Sequence, residues 1–420
     1  MYNNIFDAAK SVNIKQVIQH YAGVDPNRGR VGGNIACPLG IHSDSSPSFH
    51  IYEDTNSCYC FSCKNGGDTI KFVQQMVGYA DPVDAAKDIV SAFSVPYTDT
   101  KVPKVSQAYT DYVSVYKYCS SMWVDNAKKS CIASVGTSTP DFWITRGLAH
   151  LIDEYGLGLC PSYILKPDNT VQNFRTHLLE TFPAIPAETM DTYGLYNALG
   201  DCVFAGRYIF TIYNSKGDPV AFSGRSLSPN TCKYYNTSET AYFKKSKILY
   251  NWNVAKKKGG TVILTEGFAD ALTLVSAGYT NAIACMGTSF TQEHLDMLKN
   301  KQIILALDND SAGMKAMIKT IEENPSIRFL VFNYPFKEKD FNDAYMNNVS
   351  LKNLFDQKNL CYSPEYLIRY FKTQDLSLLG TRAELYDRLN KLCREGKYNP
   401  VEKDYYNVIL SRLIKGKRGR

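Results

Sequence analysis

The spacing of apolar positions changes character several times along the chain. From residue 261 onward, short apolar runs alternate with longer amphipathic ones. Strands are predicted at Val262–Thr265, Ala282–Cys285, Ile303–Asp308 and Arg328–Phe332, with helices over Asp270–Ala277, from Thr291 and after Gly313. Such alternation predicts a mostly parallel sheet. Ahead of it, Tyr208–Tyr213 and Pro219–Phe222 flank Asn214-Ser215-Lys216-Gly217 and read as a hairpin within a stretch that mixes helix and strand. Near the N-terminus, a helical start is followed by the strand-like Ser48–Ser57 with a turn at Glu53-Asp54-Thr55-Asn56. A second helical pattern follows Gly66-Gly67-Asp68. After Ser363 only helices are predicted, with Tyr366, Ile368, Tyr370, Leu385, Leu389 and Leu392 at core spacings. Periodicity breaks at Tyr97–Ser106, the best linker. The expected organisation is α+β and multidomain: 1–96, a linker 97–106, a mixed basic subdomain 107–258, an α/β domain 259–360 and a helical end 361–420. There is no internal repeat.

Composition narrows the class. With 44% hydrophobic and 13% aromatic residues over 420 positions, the chain can bury several cores and is not disordered. Its apolar runs are strand-sized and its first residues lack a charged-then-apolar leader, so a cytoplasmic protein with no membrane partner is expected. The net charge of +6 is mild but uneven: Lys244, Lys245, Lys247 and Lys256, Lys257, Lys258 crowd one region, and the chain ends Lys415-Gly-Lys-Arg-Gly-Arg420. Runs of this kind are usually solvated surface, and point to nucleic acid only beside catalytic motifs.

Of 12 cysteines, Cys37, Cys58, Cys60 and Cys63 cluster, whereas Cys119, Cys131, Cys160, Cys202, Cys232, Cys285, Cys361 and Cys393 stand alone and read as small core hydrophobes. Cys37, His42, Cys60 and Cys63 supply three thiolates and an imidazole, a set suited to tetrahedral zinc. On spacing alone Cys58 is an alternative ligand. The run Cys37-Pro, His42-Ser-Asp-Ser-Ser-Pro47-Ser48-Phe49, Cys60-Phe-Ser-Cys63, Gly66-Gly67-Asp68-Thr-Ile70 resembles the zinc-binding ribbon of bacterial DnaG-type primases, although Gly40 and Ile41 intervene before the ligand His42. The resemblance implies template-specific recognition by this domain.

Further blocks continue the resemblance in family order: Phe142-Trp-Ile-Thr-Arg146-Gly147-Leu148, Phe204-Ala-Gly-Arg207, Phe222-Ser-Gly224-Arg225, Lys233-Tyr234-Tyr-Asn236 and Phe243-Lys-Lys245. Arginines near strands and a Lys/Asn pair among aromatics suit phosphates and bases. By resemblance Arg146, Arg207, Arg225, Lys233, Asn236 and Lys245 line a groove for template, primer and incoming ribonucleoside triphosphate.

The strongest chemistry lies in Thr265-Glu266-Gly267-Phe-Ala-Asp270, Met286-Gly287-Thr288 and Asp308-Asn-Asp310-Ser-Ala-Gly313. These acids fall at carboxyl ends of predicted parallel strands, where open α/β sheets bind ligands. Asp308 and Asp310 share a side if their strand continues, and close carboxylates call for a hard cation, Mg²⁺ or Mn²⁺. The pattern resembles the Toprim domain, which implies catalytic and metal-binding roles for Glu266, Asp308 and Asp310 and a catalytic role for Asp270. Lys339-Asp340-Phe341-Asn342-Asp343 resembles a later family motif in which an acid stands where Asn342 is. Asp340 is then the further ligand.

Zinc ribbon, basic core and Toprim order together imply a primase that makes short RNA primers on single-stranded DNA by metal-dependent nucleotidyl transfer. A replicative helicase is the expected protein partner, and the shortness matches phage or plasmid versions. A Toprim nuclease and a catalytically silent single-strand-binding protein are the rival readings. Intact Glu266, Asp308 and Asp310 weigh against the silent one.

Overall fold

The computed structural model describes residues 2, 4–28, 33–40, 42, 44, 46–79, 81–97, 106–138, 140–286, 290–372, 375–396 and 398–415. The interior of the linker, Ile41, Gly287-Thr288 and the basic tail from 416 lie outside the described residues.

In the N-terminal region, strands Asn34–Ile35, Phe49–Tyr52, Ser57–Cys60 and Gly66–Asp68 form an antiparallel sheet in chain order. The turn at 53–56 closes as predicted because Asn56 accepts a left-handed φ of 49°. Its side chain also ties the sheet to the first two helices, accepting from Ile14 N and donating to the Lys10 and Val12 carbonyls, all at 2.8 Å. Gly66 is obligatory, since a Cβ there would lie 2.2 Å from the Cys58 carbonyl oxygen. Helices Ile5–Ser11, Ile14–Ala22, Thr69–Val77 and Pro82–Ala92 close a core around Ile14, Val17, Phe49, Phe72, Val73 and Ile89, against which Phe93, Val95 and Tyr97 pack partly buried.

The middle region is organised by a 28-residue helix, Gln107–Ser134, that periodicity did not single out. Its Tyr116 stacks on Phe222 at 4.9 Å and its Trp123 meets the same ring at 4.6 Å. The sheet beneath it runs Tyr234–Asn236, Pro219–Arg225, Tyr208–Tyr213, Leu157–Leu159, all antiparallel.

The predicted parallel sheet is present. Its order is Ala282–Ala284, Thr261–Thr265, Gln302–Leu305, Leu330–Phe332, Leu360–Tyr362; the first four are parallel and the last is an antiparallel edge. Alternate side chains face opposite layers. Ile263, Ile304 and Phe332 pack with the middle region, where Phe268 stacks on Phe210 at 5.0 Å. Val262, Leu264, Ile303, Leu305 and Val331 pack with Leu367, Phe371, Leu385, Leu389 and Leu392 of the C-terminal helices. Tyr366, Ile368 and Tyr370 border this layer half-buried. Helices Ser363–Lys372, Leu379–Glu395 and Pro400–Lys415 thus cover one face of the sheet, helped by ion pairs Arg388–Glu322 and Arg328–Glu402.

The N-terminal region is docked on this body. Lys301 Nζ, buried, donates to Met76 O (2.9 Å), Lys256 O (3.1 Å) and Gly259 O (2.7 Å), and Lys256 Nζ lies 3.8 Å from the Tyr79 ring centre. Two expectations need correction. Cys232 is exposed and Cys202 only partly buried, so these two are not core residues. The strand predicted to reach Asp308 ends at Leu305: Ala306 N still donates to the Leu264 carbonyl at 2.9 Å and Leu307 is buried, but the paired register stops at Leu305.

Candidate functional site

Two separate sites take shape from these elements. In the first, His42 reaches the knuckle formed by Cys60 and Cys63, and the ligand atoms of Cys37, His42, Cys60 and Cys63 all lie within 4.8 Å of one another. His42 Nε2 is 3.2 Å from Cys60 Sγ, and the Cys37 and Cys63 sulfurs are 4.0 Å apart. Asp44, absent from the expected set, orders the first knuckle. Its Oδ2 accepts from Cys37 N (2.9 Å), Ser48 N (3.1 Å) and Ser48 Oγ (3.0 Å). Burial raises the Cys60 thiol, but the Cys63 amide, Ser48 and His42 outweigh it and bring it down to about 6. Burial foremost pushes Cys37 up. Cys58 stands apart: its sulfur faces the Gly67 carbonyl at 3.6 Å, and burial drives its thiol up to about 12.

The second site is a cavity of about 210 Å³ at the carboxyl edge of the parallel sheet. Glu266, Asp270, Asp308 and Asp340 line it together with Arg146, Arg225 and Lys233, so four of the expected acids and three of the expected basic residues meet. Phe142, Tyr234, Gly267, Ala269, Lys339 and Asn342 complete the walls. Each acid is placed by backbone geometry. Glu266 follows the strand Thr261–Thr265 and is exposed, while Asp340 caps the helix Phe341–Met346 by accepting from Asp343 N at 2.7 Å. Asp308 lies beyond the next strand, against the start of the helix Ser311–Glu323; a Cβ at Gly313 would come within 2.1 Å of its carbonyl oxygen.

The acids repel one another, and Lys339 offsets that repulsion only in part. Burial first, then Glu266 and Asp340, push the Asp308 carboxyl up to about 6 against the pull of Lys339. Burial, followed by Asp340 and Asp308, holds Asp270 well above the usual carboxylate range. In the same lining, the Arg225 guanidinium donates to the Tyr234 hydroxyl at 3.2 Å and lies 5.0 Å from its ring centre. Among the described residues no carboxylate pairs with Arg225 or Lys233.

The remaining expected residues lie elsewhere. Asp310 is a helix cap, its Oδ1 accepting from Ala312 N (2.9 Å) and Gly313 N (2.8 Å). Lys339 Nζ joins it to Asp308, at 3.2 and 3.3 Å. Arg207 donates to the Gly224 and Cys232 carbonyls. Asn236 is half-buried on the strand Tyr234–Asn236, away from the cavity lining. The Lys245 carbonyl accepts from His294 Nε2 at 3.1 Å. Lys244, Lys247 and Lys256 line a larger space of about 740 Å³ between Tyr79 of the N-terminal region and Trp252 of the body. Lys339 and Tyr234 were not assigned roles from sequence. The signal was their adjacency to Asp340 and Lys233 within the same motifs.

Comparison with known proteins agrees with this division. Residues 2–104 match the family described as CHC2 zinc finger, 132–256 the N-terminal domain of the DNA primase catalytic core, and 263–345 the Toprim-like family. A DNA primase of Thermotoga maritima is 30% identical over 348 residues, covering 80% of this chain and 58% of its own length. This chain therefore spans less than two thirds of that relative. Among solved structures, the zinc-binding and RNA polymerase domains of Aquifex aeolicus primase share the fold at a TM-score of 0.57 and 22% identity, covering 99% of this chain and 98% of that one. The RNA polymerase domain of Mycobacterium tuberculosis DnaG, solved with a double-stranded DNA carrying a 6-nucleotide overhang, gives 0.56 at 21%, with coverage of 73% and 97%. With a CHC2 zinc finger, a primase catalytic core and a Toprim-like domain matched in this order, the chain belongs to the family of bacterial DnaG-type primases.

Proposed function

We propose that this chain synthesises short RNA primers on single-stranded DNA, joining ribonucleoside triphosphates by nucleotidyl transfer in the cytoplasm during replication. The observation that carries this reading is the convergence of Arg146, Arg225 and Lys233 with Glu266, Asp270, Asp308 and Asp340 on one cavity. An anionic substrate and a cationic cofactor can share a cavity lined by both signs of charge. The carboxylates are hard oxygen donors with no sulfur among them, and burial together with their mutual repulsion raises Asp308 and Asp270, with Lys339 offsetting the rise at Asp308 only in part. They fit Mg²⁺ or Mn²⁺, held by Glu266, Asp308 and Asp340, with Asp310 second to them because it is not among the residues lining the cavity and its Oδ2 pairs with Lys339. A bound divalent cation would supply charge neutralisation at the phosphates and activation of the primer hydroxyl.

The protein's own groups do the positioning. Arg225, backed by the Tyr234 ring, and the exposed Lys233 present unneutralised charge to triphosphate or template phosphates. Cys37, His42, Cys60 and Cys63 would hold one structural zinc, a closed four-donor set with no position left for substrate. The DNA-bound neighbour from Mycobacterium tuberculosis supports DNA as the template here. We assign the ribbon to 1–96, the basic subdomain to 107–258, Toprim to 259–360 and the helical end to 361–420, with the edge strand Leu360–Tyr362 straddling the last boundary. Incubating the full chain with ribonucleotides, Mg²⁺ and a library of short single-stranded templates tests the function. New RNA is expected; template cleavage without synthesis would favour a nuclease.

A further inference from the structure

The family motif carries an acid where this chain has Asn342, a departure that invites a weakened metal ligand. The structure gives this side chain different work. Asn342 is 1% exposed, and its amide is fully engaged. Oδ1 accepts from Arg146 Nη1 at 2.7 Å, while Nδ2 donates to the Arg146 carbonyl at 3.0 Å and to Thr273 Oγ1 at 2.9 Å. Its backbone N–H donates to Asp270 Oδ1 at 3.2 Å. One residue thereby joins three segments of the cavity wall: the turn carrying Arg146, the helix Phe268–Ser276 carrying Asp270 and Thr273, and the helix capped by Asp340. The amide orientation is forced, because reversing it would set N–H groups against the guanidinium and oxygen against a carbonyl.

We infer that Asn342 is a positioning residue that aims Arg146 into the cavity while leaving its charge free for the nucleotide's phosphates, a statement that rests on the catalytic reading above. A carboxylate at 342 could accept from Arg146 but could not donate to its carbonyl. It would also neutralise the guanidinium and add a negative charge beside Asp270. The neutral amide orients without neutralising. Among the described residues the one carboxylate within ion-pair distance of Arg146 is Asp343, 3.9 Å away with a side chain 47% exposed, so water screens that contact. The Phe142 ring, 5.6 Å from the guanidinium carbon, supports the opposite side.

The test is a double-mutant cycle on the full chain, reading KM and kcat for ribonucleotide and, separately, ATP affinity by calorimetry. Arg146→Ala and Asn342→Ala should each raise KM about tenfold with smaller loss of kcat, and the double variant should match Arg146→Ala alone, because Asn342 acts through Arg146. Asn342→Asp should weaken ATP binding about as much as Arg146→Ala. Asn342→Ser serves if Asn342→Ala fails to fold, and melting curves on each variant separate stability from binding. Additive effects in the cycle, or a fall in kcat with KM and ATP affinity unchanged, would overturn the inference while Glu266→Gln remained inactive. A Glu266→Gln protein with full activity would instead bring down the catalytic reading together with this one.

Discussion

The two candidate metal sites differ in how the fold assembles them. In the ribbon, soft donors from one short stretch, Cys37 to Cys63, already converge within 4.8 Å. In the cavity, hard donors arrive from widely separated segments. Among the described residues no group of three acids approaches as closely as the ribbon ligands do. Lys339 and the raised Asp308 show the cost of holding those carboxylates near one another. A preassembled, closed set suits an ion that stabilises structure. An open set of mutually repelling carboxylates in a cavity that also holds arginines suits ions that arrive with a substrate.

The comparison breaks most visibly at the ribbon. Cys60→Ser with Cys63→Ser should abolish stoichiometric zinc, measured by metal analysis, and unfold residues 1–96, because binding and folding of such sites are one free energy of roughly 10 kcal/mol or more. Hydrogen exchange should show the parallel sheet still protected, since among the described residues the buried side chains of its two cores start at Tyr112. Full zinc in that variant would remove the assignment.

On the cavity side, Arg225→Ala with Lys233→Ala should weaken binding to single-stranded DNA or ribonucleotide by about tenfold. If both touch template phosphates, the slope of log affinity against log salt should fall by about 0.7 for each phosphate that is no longer neutralised. An unchanged slope with weaker ribonucleotide binding would assign the pair to the triphosphate instead.

Legibility follows the same divide. Ribbon ligands close in sequence, the hairpin Tyr208–Tyr213 and the sheet strands were readable because local period and turn chemistry set them. Which basic residues reach the cavity was not readable. Arg207 directly precedes the strand Tyr208–Tyr213 and Arg225 ends its partner Pro219–Arg225 at the same end of the hairpin, yet Arg207 turns to the Gly224 and Cys232 carbonyls while Arg225 lines the cavity with the acids. Spacing cannot distinguish these, because the choice depends on tertiary neighbours such as Tyr234. The long helix Gln107–Ser134 escaped notice because Tyr112, Tyr116 and Trp123 are buried among polar residues on a helix with a mixed surface. The edge strand Leu360–Tyr362 is three residues long and exists only by pairing with Leu330–Phe332.

The smallest effect concerns the Lys245 loop. His294 is buried, accepts from Thr291 N at 3.3 Å and donates from Nε2 to the Lys245 carbonyl, so the fold holds it neutral and burial lowers its pKa. The unfolded chain takes up this proton near the ordinary 6.5 and the folded one only at lower pH. Stability from His294 is therefore present above about 6.5 and lost as pH falls below it. Melting temperature against pH should fall more steeply below that value in the native chain than in His294→Gln, by no more than a few degrees. Parallel curves would mean that the ring titrates freely.

The central claim is that the acid-lined cavity performs the synthesis. Its most direct test is primer synthesis by Glu266→Gln on a single-stranded template at saturating Mg²⁺ or Mn²⁺, alongside strand affinity. Synthesis should drop on the order of 10²- to 10³-fold, since a metal ligand is worth several kcal/mol in the transition state. DNA binding should hold or tighten, because a negative charge near phosphates has been removed. Synthesis at the native rate by Glu266→Gln would contradict the account and place the chemistry elsewhere in the chain.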